Sequence, residues 1–333
     1  MDQKEIAPVD FDSRIRPEFS EIWAKMPNKG NGFAEDKMDD IRKIARDAFN
    51  SFPKPPFPSV IMTTHQIPGP KDAPEVTVRI FRPKEQKGKL PGVLWMHGGG
   101  YILGFAEQTD LWCQLIVDKI GVVAVSVEYR LAPEHPYPAG LEDCYASLTW
   151  LKDVAEELQI DTERIAIGGD SAGGGLCAAL SMLARDRNGP KICFQMPLYP
   201  MLEDRCVTES CLEIQDPKVW NCQKNKDAWK MYHKNLIHER EIPIYAAPGR
   251  ATPADLVNLP PTYTYIGDLD AFKDEVFEYV KKLSHAGVSV EFHLYPGCFH
   301  GFEAQTLTTD FTKKVIERSI LALKNAVTSS SSQ

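Results

Sequence analysis

Ser171 stands in the run Gly169-Asp170-Ser171-Ala172-Gly173, after the apolar stretch Ile165-Ala166-Ile167 and before a helix-prone segment, Leu176 to Ala184. A serine hydroxyl is a weak nucleophile unless a tight turn exposes it and a base takes its proton. Gly-x-Ser-x-Gly between a strand and a helix is the context that builds such a turn. Its flanking glycines permit a close-packed, strained backbone that a Cβ would obstruct. A second run, His97-Gly98-Gly99-Gly100, follows the apolar Val93-Leu94-Trp95-Met96. Glycines after a strand leave N–H groups uncovered and free to face an anion. In acyl transfer that anion is the oxygen of the tetrahedral intermediate, and each pre-aimed donor lowers the barrier by ~2.7–4 kcal/mol. A phosphate cradle is the weaker reading, because neither Gly-x-Gly-x-x-Gly nor a P-loop ending occurs.

A base and an acid are available near the C-terminus. Tyr263 to Ile266 reads as a strand and leads into Gly267-Asp268-Leu269-Asp270; a helical segment, Asp274 to Ala286, follows. Val288 to Tyr295 reads as the next strand and ends in Cys298-Phe299-His300-Gly301-Phe302. Serine, aspartate and histidine thus fall in the order of a strand-to-helix nucleophile fold. Residues at the carboxyl ends of neighbouring parallel strands converge on one crevice.

Together these motifs resemble the hormone-sensitive-lipase family of α/β-hydrolase esterases. Tyr129-Arg130-Leu131-Ala132-Pro133-Glu134-His135-Pro136 and Leu259-Pro260-Pro261-Thr262 add to the likeness, which runs from about Val76 to Phe302. The resemblance implies an α/β-hydrolase fold: a mostly parallel eight-stranded sheet, helices on both faces and a helical cap. It also implies carboxylester hydrolysis without a cofactor. By matching position, Ser171 is the nucleophile, His300 the general base and Asp270 the acid. The backbone N–H groups of Gly99, Gly100 and Ala172 are the oxyanion donors. Gly98, Gly169 and Gly173 support the motif. His97 is read as orienting the glycine loop, and Asp170 as bonding within it. The chain departs from the family pattern in having Ala271, not proline, after the acid, and Glu128 where aspartate is common; the latter acid is read as structural. Asp268 remains a rival for the acid role.

The elements that must position these groups are legible in outline. Alternation through Val76, Val78 and Ile80 suggests an antiparallel edge strand. Strands are expected at Gly92 to Met96, Val122 to Val127, Ile165 to Gly168 and Phe194 to Tyr199, separated by helices, as in a doubly wound sheet. Residues 1–52 are expected to form N-terminal cap helices, with Met38, Ile41, Ala45, Ala48 and Phe52 on one face. Residues 53–327 form the hydrolase unit, with a polar, aromatic-dotted cap insertion at about 203–245. The serine-rich 328–333 is expected to be a disordered tail. Trp23, Trp220, Trp229 and Tyr232 are candidates for an acyl pocket or for cap packing.

With 333 residues, 43% of them hydrophobic, the chain can bury one large core. Its net charge of −8 disfavours nucleic-acid binding. No apolar run is long enough to span a membrane, and the polar N-terminus lacks a secretory signal. The eight cysteines contain no Cys-x-x-Cys pair, and His233 and His238 lack a metal-ligand partner set, so no metal is expected. Reduced thiols and a cytoplasmic location are expected. Cys298, two residues before His300, is read as packed, with a crowding role on alkylation as the alternative. The expected partners are a small ester and, through an edge strand, a second copy of the chain. Two other readings stay open: a non-catalytic small-molecule receptor on the same scaffold, and an amidase or deacetylase.

Overall fold

A computed structural model describes residues 6–51 and 54–328. The strands are β1 (Val60–Ile67), β2 (Val76–Pro83), β3 (Leu90–Met96), β4 (Val123–Glu128), β5 (Ile160–Asp170), β6 (Phe194–Leu198), β7 (Thr262–Leu269) and β8 (Val290–Phe299). They form one sheet in the order β1-β2-β4-β3-β5-β6-β7-β8. β2 runs antiparallel to both β1 and β4, and the pairings from β4 through β8 are parallel. The α/β-hydrolase architecture read from the sequence is therefore present. β3, β4 and β6 are apolar almost throughout and buried along nearly their whole length, as strands covered on both faces must be.

One expectation is corrected. β2 is not an edge strand, because β1 pairs along its outer side from Val60↔Pro83 to Ile67↔Val76. β1 (VIMTTHQI) is mostly exposed and shows no clean alternation. Its β-branched residues were the signal for a strand.

The helices flank the sheet. α4 (Asp110–Ile120) places Trp112 against Trp95 of β3, with ring centroids 5.0 Å apart. α5 (Ala139–Asp153) brings Leu151 beneath Gly92, on the opposite pleat of the same strand. α6 (Ala172–Asp186) is buried from Ala172 to Ala184 and is rich in Gly and Ala. That composition lets it lie close on β5 and β6. α9 (Lys273–His285) packs on β7 and β8. α10 (Phe302–Gln305) is a single turn after β8, and α11 (Asp310–Thr328) closes the chain beside α4. Thr328 is therefore helical, and the rest of the expected tail lies outside the described residues.

Two separate pieces of chain cover the carboxyl ends of the strands. The insertion after β6 carries α7 (Glu209–Glu213) and α8 (Cys222–Tyr232). The N-terminal piece carries α1 (Phe11–Arg14), α2 (Ser20–Lys25) and α3 (Met38–Asn50). The two pieces are tied together by bonds from Val9 N–H to Glu213 O, Lys29 N–H to Pro217 O and Phe33 N–H to Asp227 Oδ2. Phe19, in the N-terminal piece, is fully buried against Phe299, Phe302 and Phe311. On α3, Met38 is buried and Ile41 and Ala45 are half-buried, but Ala48 is exposed. Phe49 makes the contact instead, edge-on to Phe105 at 5.1 Å. An i, i+4 step from Ala45 keeps residue 49 over the inner face, while residue 48 turns off it. Phe52 lies outside the described residues.

Candidate active site

The chain reverses its winding between β3 and β5, the place where open α/β sheets form their crevice. Met96 of β3 pairs with Gly169 of β5, so the His97 loop and the Ser171 turn leave the sheet side by side. Ser171 adopts φ 56° and ψ −116°, a conformation that costs a non-glycine residue ~1–3 kcal/mol. Its backbone is held by Ser171 N–H to Leu198 O at 2.9 Å and Met201 N–H to Ser171 O at 3.0 Å. The neighbouring glycines are steric necessities. A Cβ on Gly169 would lie 2.4 Å from Gly173 O, and one on Gly173 would lie 2.1 Å from Met96 O.

Ser171 Oγ is 2.8 Å from His300 Nε2, and His300 Nδ1 is 2.8 Å from Asp270 Oδ2. With Nδ1–H donating to the carboxylate, Nε2 is left to accept the serine proton. Asp270 is 1% exposed and its other oxygen accepts from Phe272 N–H at 2.9 Å. The imidazole is walled edge-on by Phe272 at 4.8 Å and Tyr199 at 5.2 Å. The three side chains singled out in the sequence thus meet. Asp268 does not join them: it accepts from Gly297 N–H at 2.6 Å and faces Arg14 at 3.6 Å.

Gly99 has φ 126° and Gly100 φ 62°, both in the region that favours glycine. Gly99 O accepts from Ile102 and Leu103 N–H, which closes the loop into a turn. The N–H groups of Gly99 and Gly100 find no acceptor among the described residues. Ala172 opens α6, where first-turn amides have no intrahelical partner. Gly98 is different, since its N–H donates to Asp170 Oδ2 at 3.0 Å. Asp170 also accepts from Trp95 Nε1 at 3.3 Å, and burial raises its carboxyl to about 6. His97 Nδ1 bonds its neighbour's carbonyl, Gly98 O, at 2.8 Å. Its ring stacks on Tyr129 at 4.2 Å, and burial lowers it to about 4. His97 is therefore neutral near pH 7 and braces the loop.

Of the aromatic candidates, Trp220 reaches the site. Its ring covers Gly100, where a Cβ would lie 2.2 Å from Trp220 Cη2, and it stands 6.3 Å from His300. Trp23 stacks on Phe11 at 4.7 Å, and Trp229 and Tyr232 pack on Tyr101. Sequence reasoning missed Phe33, 5.5 Å from Trp220, and Tyr199, whose φ of 33° follows β6. It also missed Glu303. Nothing local marked them. Glu128 accepts from Ala106 N–H and faces Arg46, a structural placement. Cys298 is buried, and desolvation pushes its thiol up. Among the described residues no group of three or more His, Cys, Asp or Glu side chains is arranged to hold a metal ion, and no helix is long and apolar enough to cross a membrane.

The α/β hydrolase fold family matches residues 93–304, from β3 past His300. Carboxylesterase NlhH of Mycobacterium tuberculosis is 35% identical over 255 residues, 76% of this chain and 79% of that protein. Esterase LipI of the same organism is 33% identical over 86% of this chain and 89% of its own. The structure of a bacterial heroin esterase superimposes with a TM-score of 0.90 at 34% identity, covering 96% of this chain and all of that one. With the sheet order, the turn at Ser171 and these relatives in agreement, the chain belongs to the α/β-hydrolase fold family, alongside carboxylesterases.

Proposed function

We propose that this protein is a serine carboxylesterase acting on short- to medium-chain acyl esters. Ser171 Oγ attacks the ester carbonyl while His300 Nε2 takes its proton. Charge developing on the carbonyl oxygen meets the N–H groups of Gly99, Gly100 and Ala172. His300 then protonates the leaving alcohol, and an acyl-serine remains. Water, deprotonated by the same imidazole, releases the acid. Asp270 holds the tautomer and stabilises the imidazolium without taking the proton.

The observation that carries this reading is the relay itself, Ser171 to His300 to Asp270, each step 2.8 Å. A receptor on this scaffold would have no use for an intact relay beside unpaired amides. The N-terminal and inserted pieces are read as one cap, with Trp220, Phe33 and Tyr199 bounding the acyl pocket. A nitrophenyl ester panel from acetate to palmitate tests that size limit. Eight unpaired cysteines support a reducing, cytoplasmic setting. The outer edges of β1 and β8 are where a second copy would pair, which light scattering reads directly.

The decisive experiment uses a fluorophosphonate probe. Wild-type protein is expected to label covalently, and Ser171→Ala to lose both labelling and turnover of nitrophenyl butyrate with an unchanged melting temperature. Turnover surviving in Ser171→Ala would refute the assignment. A wild-type protein that neither labels nor turns over ester would favour the receptor.

A further inference from the structure

Three of the eight cysteines collect at one point of the inserted cap. Asn225 of α8 directs its side-chain N–H group at Cys206 Sγ, 3.3 Å away, and at Cys211 Sγ, 3.7 Å away. The Cys206 and Cys222 thiols also act on the Cys211 thiol. Cys206 Sγ also donates to the Asp204 carbonyl at 3.6 Å, as Cys113 turns to Thr109, Cys177 to the Ile167 carbonyl and Cys298 to the Pro296 carbonyl. Cys206 is held at φ 53°, a left-handed conformation that costs a non-glycine residue ~1–2 kcal/mol. That conformation turns its sulfur inward beneath an exposed surface segment, where Val207 is 65% exposed. Cys206 is 4% exposed and Cys211 fully buried, so a small oxidant must enter past the exposed Val207 segment.

The cluster is also wired to the site. Asn225 Oδ1 accepts from Trp220 Nε1 at 3.4 Å, and Trp220 is the ring lying on Gly100. One amide side chain thus reads two sulfurs with its nitrogen and steadies the roof of the candidate oxyanion loop with its oxygen.

We propose that Cys206 and Cys211 form an oxidation site, joined by hydroperoxides into a disulfide that loosens Asn225 and Trp220 over the oxyanion loop. The first thiol is oxidised to a sulfenic acid as the peroxide O–O bond breaks, and one water leaves. The second thiol attacks that sulfur, a second water departs, and the S–S bond forms. Hydrogen peroxide is the two-electron acceptor, and both thiol protons end in water. A disulfide fixes its Cβ atoms about 3.8 Å apart. The sulfurs then no longer present themselves to Asn225 as the separate thiols do. The Cys206 thiol, together with burial, pushes the Cys211 thiol up to about 12. Such a thiol oxidises slowly but holds its disulfide firmly, which makes the change durable.

The effect on activity rests on the esterase reading, whereas the disulfide does not, so they are measured separately. Purified protein is incubated with hydrogen peroxide, its remaining thiols are blocked with N-ethylmaleimide, and it is digested with trypsin. Cleavage after Arg205 and Lys218 leaves Cys206 and Cys211 on one peptide and Cys222 on the next. The expected result is a 206–218 peptide that has lost its thiol hydrogens and takes no maleimide. In parallel, kcat/KM for nitrophenyl butyrate should fall about five-fold, the low end of coupling between distinct sites, and recover with dithiothreitol. Cys211→Ala should remove the mass change and the peroxide-dependent loss. Cys206→Ser serves the same purpose should the first variant not fold. A fully alkylated 206–218 peptide, or Cys211 bridged to Cys222, would overturn the assigned pair. A 206–211 bridge that leaves kcat/KM unchanged would overturn the link to Trp220. Absence of turnover in untreated protein would count against the esterase, not the bridge.

Discussion

The Ser171 turn and the insertion after β6, which brings Trp220 onto Gly100, are built by opposite means. The turn is made of backbone: glycines so crowded that a Cβ on Gly173 would lie 2.1 Å from Met96 O, and a serine at φ 56°. Among the described residues, the N-terminal and inserted pieces share two backbone bonds, Val9 to Glu213 and Lys29 to Pro217, and otherwise meet through side chains such as Phe33 on Trp220 and Lys234 on Glu35. Backbone crowding tolerates almost no substitution, so the geometry of the turn is fixed. Side-chain packing can change a residue at a time.

The two aspartates after β7 give the largest contrast. Asp270→Asn should lower kcat about 10⁴-fold, because the amide favours the wrong imidazole tautomer. Asp268→Asn should leave kcat near wild type and cost about 1 kcal/mol of stability through its bond to Gly297. Steady-state kinetics with thermal melts separate the two, and equal kcat losses would blur the assignment of the acid.

Gly100→Ala attacks the boundary between the two regions. The methyl would strike Trp220 and sit at φ 62°, so kcat should fall about 10²-fold as a donor is displaced. Adding Trp220→Ala should restore part of that loss. No recovery in the double variant would mean that backbone strain, and not the cap, sets the penalty.

A smaller effect is expected at Glu303. Burial raises its carboxyl from 4.5 to about 7, and Oε2 finds no partner among the described residues. Between those values the folded chain keeps a proton that the unfolded chain has released. Raising the pH through this window therefore lowers stability, and the penalty is complete above about 7. Glu303→Gln should gain melting temperature over wild type progressively from pH 4.5 to 7. Parallel melting profiles would show that the carboxylate is not ionised at that cost.

What could be read in advance follows the same division. The glycine runs at 98–100 and 169–173 announced their geometry, since few other residues tolerate such conformations or such crowding. β3, β4 and β6 were legible because buried parallel strands are apolar almost throughout. β1 was not, because an exposed strand need satisfy no apolar pattern. Trp23 and Trp220 could not be told apart, as both are aromatic residues in mixed polar and apolar surroundings, although one lies in α2 and the other just before α8. One proved to be core and the other the roof of the site.

Local chain chemistry was enough to single out Ser171 and His300 and the strands bearing them, because turn strain and strand burial act within a few residues; it was the family resemblance that preferred Asp270 to Asp268 as the acid. It could not place Tyr199, Phe33, Glu303 or the Cys206–Cys211–Asn225 cluster. Those neighbours are separated by long stretches of chain or by irregular loops, and packing brings them together only after the sheet and both cap pieces have closed.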